Sequence, residues 1–146
     1  NSRLDTLQAA YISIAIEYLP ARIDSRREAV RFYQEKLSDS CVHQMIAPFD
    51  YLENGYCNVG LIENEDLKSS VEDALRSHDI GFGNIYPGAM SDQECSSQFM
   101  HSHVGGVEAQ KICKSVINLP VFPYITNHEL DTVVNVIKSV CEDSKR

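Results

Sequence analysis

Apolar positions in the first part of the chain recur at helical spacing. Leu4, Leu7, Tyr11, Ile14 and Tyr18 fall three and four residues apart and predict a helix over 4–19. Ile12, Ile16 and Leu19 form a second stripe beside the first. A helix apolar over so much of its surface is either buried or packed against another subunit. Pro20 lacks a backbone donor and crowds the preceding turn, so a kink or break is expected there. Ser25 and Glu28 have the spacing of a capping box, which would restart the helix. Ile23, Val30, Tyr33 and Leu37 give that second segment its inner face.

Further along, the pattern shortens. Residues 39–55 carry Pro48, Asn54 and Gly55 and read as loop or short extended pieces. A strand is predicted over Tyr56 to Ile62 and a helix over Leu67 to His78, with Val71, Ala74 and Leu75 inward. Ile80 to Tyr86 reads as a short strand. Residues 87–104 read as a long polar loop, and such loops in compact domains are often functional. A helix follows over Val107 to Val116, then a short strand over Ile117 to Phe122. Pro120 assigns that strand to a sheet edge. Thr126 and Glu129 repeat the capping-box spacing and open a helix that buries Leu130, Val133, Val134, Ile137 and Val140. The tail from Glu142 to Arg146 is polar and expected to fray. The order predicts an α/β (α+β) fold: a small three-stranded sheet with helices on one face, preceded by a long kinked helix. Nothing divides residues 1–146, so they are expected to form one domain.

Composition narrows the partners. A net charge of -8 argues against nucleic acid, which needs clustered Lys and Arg. The densest basic group, Arg22, Arg26, Arg27 and Arg31, reads as a solvated helix face. No apolar run is long enough to span a bilayer, so no membrane role is expected. Five cysteines, Cys41, Cys57, Cys95, Cys113 and Cys141, make an odd number with no C-x-x-C pair. That argues against a disulfide framework and a zinc knuckle. Free thiols would suit a reducing compartment, hence the cytoplasm.

Local candidates for chemistry are sparse. His101 and His103 would share a face in an extended segment, with Cys95 nearby, yet a structural zinc needs four ligands, and no metal is expected. Gly81, Gly83, Gly105 and Gly106 fit turns better than a phosphate-binding fingerprint. Ser96 and Ser97 are hydroxyls without an identifiable base, and Asp92 and Glu94 read as solvated loop charge. These residues alone supply no complete active site.

Several longer motifs do carry a resemblance. Asn1-Ser2-Arg3-Leu4-Asp5-Thr6-Leu7-Gln8-Ala9-Ala10 resembles the Asn-x-Arg…Gln-Ala-Ala start of the long helix in DegT-type nucleotide-sugar aminotransferases. Arg26-Arg27-Glu28-Ala29 with Tyr33 is similar to that family's Arg-Arg-x-x-Ala-x-x-Tyr stretch. His78 to Pro87 looks like its Gly-Ile…Tyr-Pro strand. Ile117 to Pro123, followed by Thr126 to Leu130, resembles its Leu-x-Leu-Pro…Thr-x-x-Glu ending.

The resemblance implies the C-terminal small domain of a fold-type-I aminotransferase, and the abrupt opening at Asn1 reads as a piece of a longer chain. It implies pyridoxal phosphate in the parent, bound through a Schiff-base lysine upstream of Asn1. None of Lys36, Lys68, Lys111, Lys114, Lys138 and Lys145 matches that lysine, so this chain by itself is expected to be inactive and to hold no cofactor. By motif position, Asn1 and Arg3 would face the cofactor phosphate, Asn1 reaching into the other subunit of a homodimer. Tyr86 and Ser91 would lie at the substrate. Ser91 stands where the family carries a His, with His101 or His103 as replacement imidazoles. The parent would transfer an amino group to a keto sugar, nucleotide-linked, in amino-sugar or polysaccharide biosynthesis. Alternatives are a standalone interaction, regulatory or dimerisation domain on this fold, and a dehydratase-like member without the lysine.

Overall fold

The computed structural model describes residues 3–84, 88–102 and 104–144. Helix α1 spans Thr6–Glu17, and its entry is a capping box: Asp5 Oδ1 accepts from the Gln8 N–H at 2.8 Å, and Gln8 Oε1 accepts from the Asp5 N–H at 3.4 Å. Tyr18 caps α1 and starts α2, Leu19–Lys36. The break therefore falls where Pro20 predicts it. Pro20 sits in the first turn of α2, where its missing donor has no intrahelical partner to lose. Ser25 is no cap. It lies inside α2, donates to the Arg22 carbonyl at 3.1 Å and accepts from the Tyr124 N–H at 3.1 Å.

The sheet has the predicted number of strands but not the predicted members. Strand β1 is His43–Gln44, β2 is Asn58–Leu61 and β3 is Val116–Leu119, all antiparallel in the order β1-β2-β3. The stretch around Ile80 to Tyr86 contributes only a bridge, Gly83 to Asn118; Ile85 and Tyr86 lie outside the described residues. Pro120 follows β3 rather than interrupting it, and β3 is an outer strand of the named sheet, as expected. β1 is missed in the sequence because two residues carry no periodicity.

Helices α3 (Glu65–Ser77), α5 (Val107–Ser115) and α6 (Asn127–Asp143) complete the frame. Between α3 and α5 lie a 3-10 turn at Met90–Asp92 and the short helix α4, Glu94–Ser97. The core joins Ala29 and Tyr33 of α2 and Leu37, which caps it, with Val71 and Leu75 of α3, Ile117 and Leu119 of β3, and one face of α6. Residues paired across antiparallel strands share a face, so Gly60 and Asn58 lie beside Ile117 and Leu119 on the helix side. Gly60 must lack a side chain there: a Cβ would stand 2.5 Å from Val42 Cγ1. The Thr126 box holds as predicted, with Glu129 Oε2 accepting from the Thr126 N–H at 2.8 Å. Tyr33, wholly buried, donates to the Pro120 carbonyl at 3.0 Å; burial foremost, then the nearby Glu129 charge, raises its pKa far above the ordinary value of 10.0.

One sequence expectation about sulfur is corrected. Cys41, just past α2, and Cys141, in the last turns of α6, are joined as a disulfide with their Cα atoms 5.7 Å apart. Cys57, Cys95 and Cys113 are free. An odd count and spacing alone could not show that two residues 100 positions apart meet where α2 packs on α6. The reducing-compartment reading thus loses part of its premise.

Candidate functional site

Arg3 is exposed and lies before the Asp5 cap, at the free end of α1. No residue of α1 is buried, and Leu7 is 83% exposed, with Tyr11, Ile14 and Ile16 exposed alongside. Among the described residues α1 leans on α2. The sequence pattern is thus correct as a helix, and the apolar stripes find no cover among the described residues. Asn1, the other phosphate-side candidate, lies outside the described residues.

The substrate-side candidates split in the same way. Tyr86 lies outside the described residues. Ser91 is half-buried in the 3-10 turn and its Oγ donates to Asp92 Oδ1 at 3.3 Å. The same oxygen accepts from Gln110 Nε2 of α5 at 2.6 Å. Asp92 is therefore a fixed acceptor between loop and helix rather than idle loop charge. His101 is exposed, and His103 lies outside the described residues. Among the described residues no three His, Cys, Asp or Glu side chains group as metal ligands would. Gly105 and Gly106 have φ of +77° and +94°, and Gly106 caps α5, so turn geometry accounts for that pair. The side chains of Ser96 and Ser97 are outside what is described.

Behind the turn, the segment Ile80–Asn84 is gripped from two sides. Gly83 exchanges backbone hydrogen bonds with Asn118 of β3 at 3.0 and 2.8 Å. Asn84 Nδ2 donates to Glu72 Oε1 of α3 at 2.9 Å. Glu72 also takes Lys68 Nζ at 3.0 Å and Arg76 Nη2 at 3.1 Å. Partial burial works against its charge, but Asn84, Lys68 and Arg76 outweigh it and hold the carboxyl below its usual range. The arginines of α2 also do more than face water. Arg27 Nε donates to the Glu53 carbonyl at 2.6 Å and its guanidinium meets Asp24 at 3.3 Å, while Arg22 and Arg31 are exposed. The bonds from Asn84 to Glu72 and from Arg27 to the Glu53 carbonyl were invisible in the sequence, because neither follows from spacing.

With this geometry in view, the similarities to known proteins are decisive. The family model of the DegT/DnrJ/EryC1/StrS aminotransferases matches residues 1–138. The chain belongs to that family. A curated relative, the dTDP-3-amino-3,6-dideoxy-alpha-D-galactopyranose transaminase of Aneurinibacillus thermoaerophilus, is 26% identical over 137 residues, covering 94% of this chain and 36% of that protein. The UDP-N-acetyl-3-dehydro-alpha-D-glucosamine 3-aminotransferase of Acidithiobacillus ferrooxidans is also 26% identical, over 138 residues, again 94% and 36%. A DegT/DnrJ/EryC1/StrS aminotransferase from Brucella abortus superposes with a TM-score of 0.81 at 26% identity, covering 97% of this chain and 37% of that one. The chain therefore spans just over a third of the length of its curated relatives. Its mixed helices and three-stranded antiparallel sheet form the corresponding part of that aminotransferase fold.

DegT-family aminotransferases depend on pyridoxal phosphate. Lys68 and Lys114 are paired with Glu72 and Glu65, and Lys36 lies 5.7 Å from the Phe32 ring centre, so these three are committed to helix surfaces. Arg3, the phosphate-side candidate by motif position, presents its guanidinium at the exposed free end of α1.

Proposed function

We propose that this chain is the C-terminal domain of a pyridoxal-phosphate-dependent aminotransferase that aminates a nucleotide-linked keto sugar, in amino-sugar or polysaccharide biosynthesis. The observation that carries this reading is the family match over residues 1–138, shared with two relatives named for dTDP- and UDP-linked sugars. The exposed apolar surface of α1 supports a covering partner, which we assign to the enzyme's large domain and to a second subunit of a homodimer. The Schiff-base lysine belongs to the large domain. Asn1 and Arg3 then serve the phosphate side, and Tyr86 and Ser91 the substrate. A hydroxyl at Ser91 orients a sugar by hydrogen bonding and, unlike an imidazole, does not trade protons near neutral pH. The cytoplasm remains our assignment, supported by three cysteines that stay free against one bridged pair.

The test is made on the intact gene product. It should bind pyridoxal phosphate and, with an amino-acid donor, convert dTDP- or UDP-linked keto sugars to amino sugars detected by mass spectrometry. A product of about 16 kDa, or failure to aminate either nucleotide class, would overturn the reading. The first outcome would favour an interaction domain built on this fold. A cofactor-binding product that eliminates water instead would favour a dehydratase.

A further inference from the structure

We infer that Glu72 is a positioning residue for the turn that carries Ser91: it fixes the course of the Ile80–Asn84 segment leading toward that turn, and through it substrate affinity. The inference rests on the reading of Ser91 as facing substrate.

Lys68, Glu72 and Arg76 are spaced i, i+4 and i+8, so they line one face of α3. Phe82 and Asn84 are two apart in an extended segment, so they share a side. The two rows meet. Asn84 Nδ2 donates to Glu72 Oε1 at 2.9 Å, and the Arg76 guanidinium lies 5.0 Å from the Phe82 ring centre while donating to Glu72 Oε2 at 3.1 Å. Glu72 thus holds Asn84 directly and Phe82 through Arg76. Its side chain is only 12% exposed, so water competes little for it. Gly83, between the two, is fixed to β3 by two backbone hydrogen bonds with Asn118 and by Asn118 Nδ2 donating to its carbonyl at 3.1 Å, which sets where the segment lies.

The far side of the turn is braced in the same manner. Gln110 of α5 holds Asp92, the neighbour of Ser91, and Lys114 of the same helix meets Glu65 of α3 at 3.1 Å. Helices α3 and α5 therefore form one frame with a tether on each side of Gly88–Asp92. Glu72 differs from the far-side acceptors in taking three donors, Asn84, Lys68 and Arg76, on one carboxylate.

The experiment compares Glu72→Gln, Asn84→Ala and their double variant, with Ser91→Ala as the control for the substrate reading. Asn84 is exposed, so its truncation leaves the fold intact. In this chain, amide hydrogen exchange over 80–84 and 88–93 should rise in both single variants and no further in the double. In the intact enzyme, KM for the keto sugar should rise about fivefold to tenfold with kcat held within about twofold, the loss expected for one half-shielded bond to a charged group. Unchanged exchange overturns the tether itself. Looser exchange with unchanged KM, while Ser91→Ala raises KM, overturns the positioning role alone. If Ser91→Ala also leaves KM unmoved, the substrate reading of the turn falls, and the inference with it.

Discussion

Gly55 has φ of +62°, and a Cβ there would stand 2.8 Å from Arg26 Cβ and 3.0 Å from the Arg26 backbone carbon. Loop and α2 backbone touch at this point, and only a hydrogen fits. Gly55→Ala should therefore cost about 1–3 kcal/mol, from left-handed strain together with the clash. Chemical denaturation reads this as a lower midpoint at unchanged slope; an unmoved midpoint would mean α2 yields. The charge at Glu72 makes a second prediction at this scale. Its pKa lies below the ordinary 4.5, so it stabilises the fold above that pH, and the stabilisation fades as acid lowers the pH through the shifted value. Thermal midpoints of the native chain and Glu72→Gln should differ at neutral pH and converge below about 4.5; a constant gap down to pH 3 would contradict the ion cluster.

Among the elements, α1 and α6 present opposite cases. The pattern of both was legible as helix, since 3.6-residue periodicity depends only on the chain itself. For α6 the same periodicity named its buried face, because Leu130, Val133, Val134 and Ile137 meet α2, α3 and β3. For α1 it named a face with no cover among the described residues. Replacing Leu7, Tyr11 and Ile14 by Ser should thus leave the thermal midpoint within a few degrees, since surface changes cost about 0.5 kcal/mol or less each. Sedimentation should show less self-association. A collapse of the fold would mean α1 carries core packing. The short elements were not legible: β1 has two residues, and the strand expected at 80–86 is a single bridge, because its pairing is decided by Asn118 and Glu72 on distant segments.

The whole molecule is closed by the bond between Cys41 and Cys141, which spans 100 residues. Its loss frees the unfolded chain by about 2–4 kcal/mol. Reduction by a dithiol, or Cys41→Ser, should lower the thermal midpoint on the order of 10 °C, and mass spectrometry after alkylation should show two more reactive thiols in the reduced chain. Equal midpoints with and without reductant would mean that the bridge adds no stability. Periodicity, capping spacing and turn residues are properties of neighbouring positions, so the long helices, the Thr126 cap, the edge strand and the family motifs could be read directly from the chain, while the box expected at Ser25 and Glu28 could not form inside the continuous α2. The sulfur pairing, the strand membership and the tethers from Glu72 to Asn84, Asp92 to Gln110 and Arg27 to Glu53 join residues from 12 to 100 positions apart. Those pairings were settled by packing in three dimensions, because contacts between distant segments depend on how the helices and sheet come together and not on local spacing.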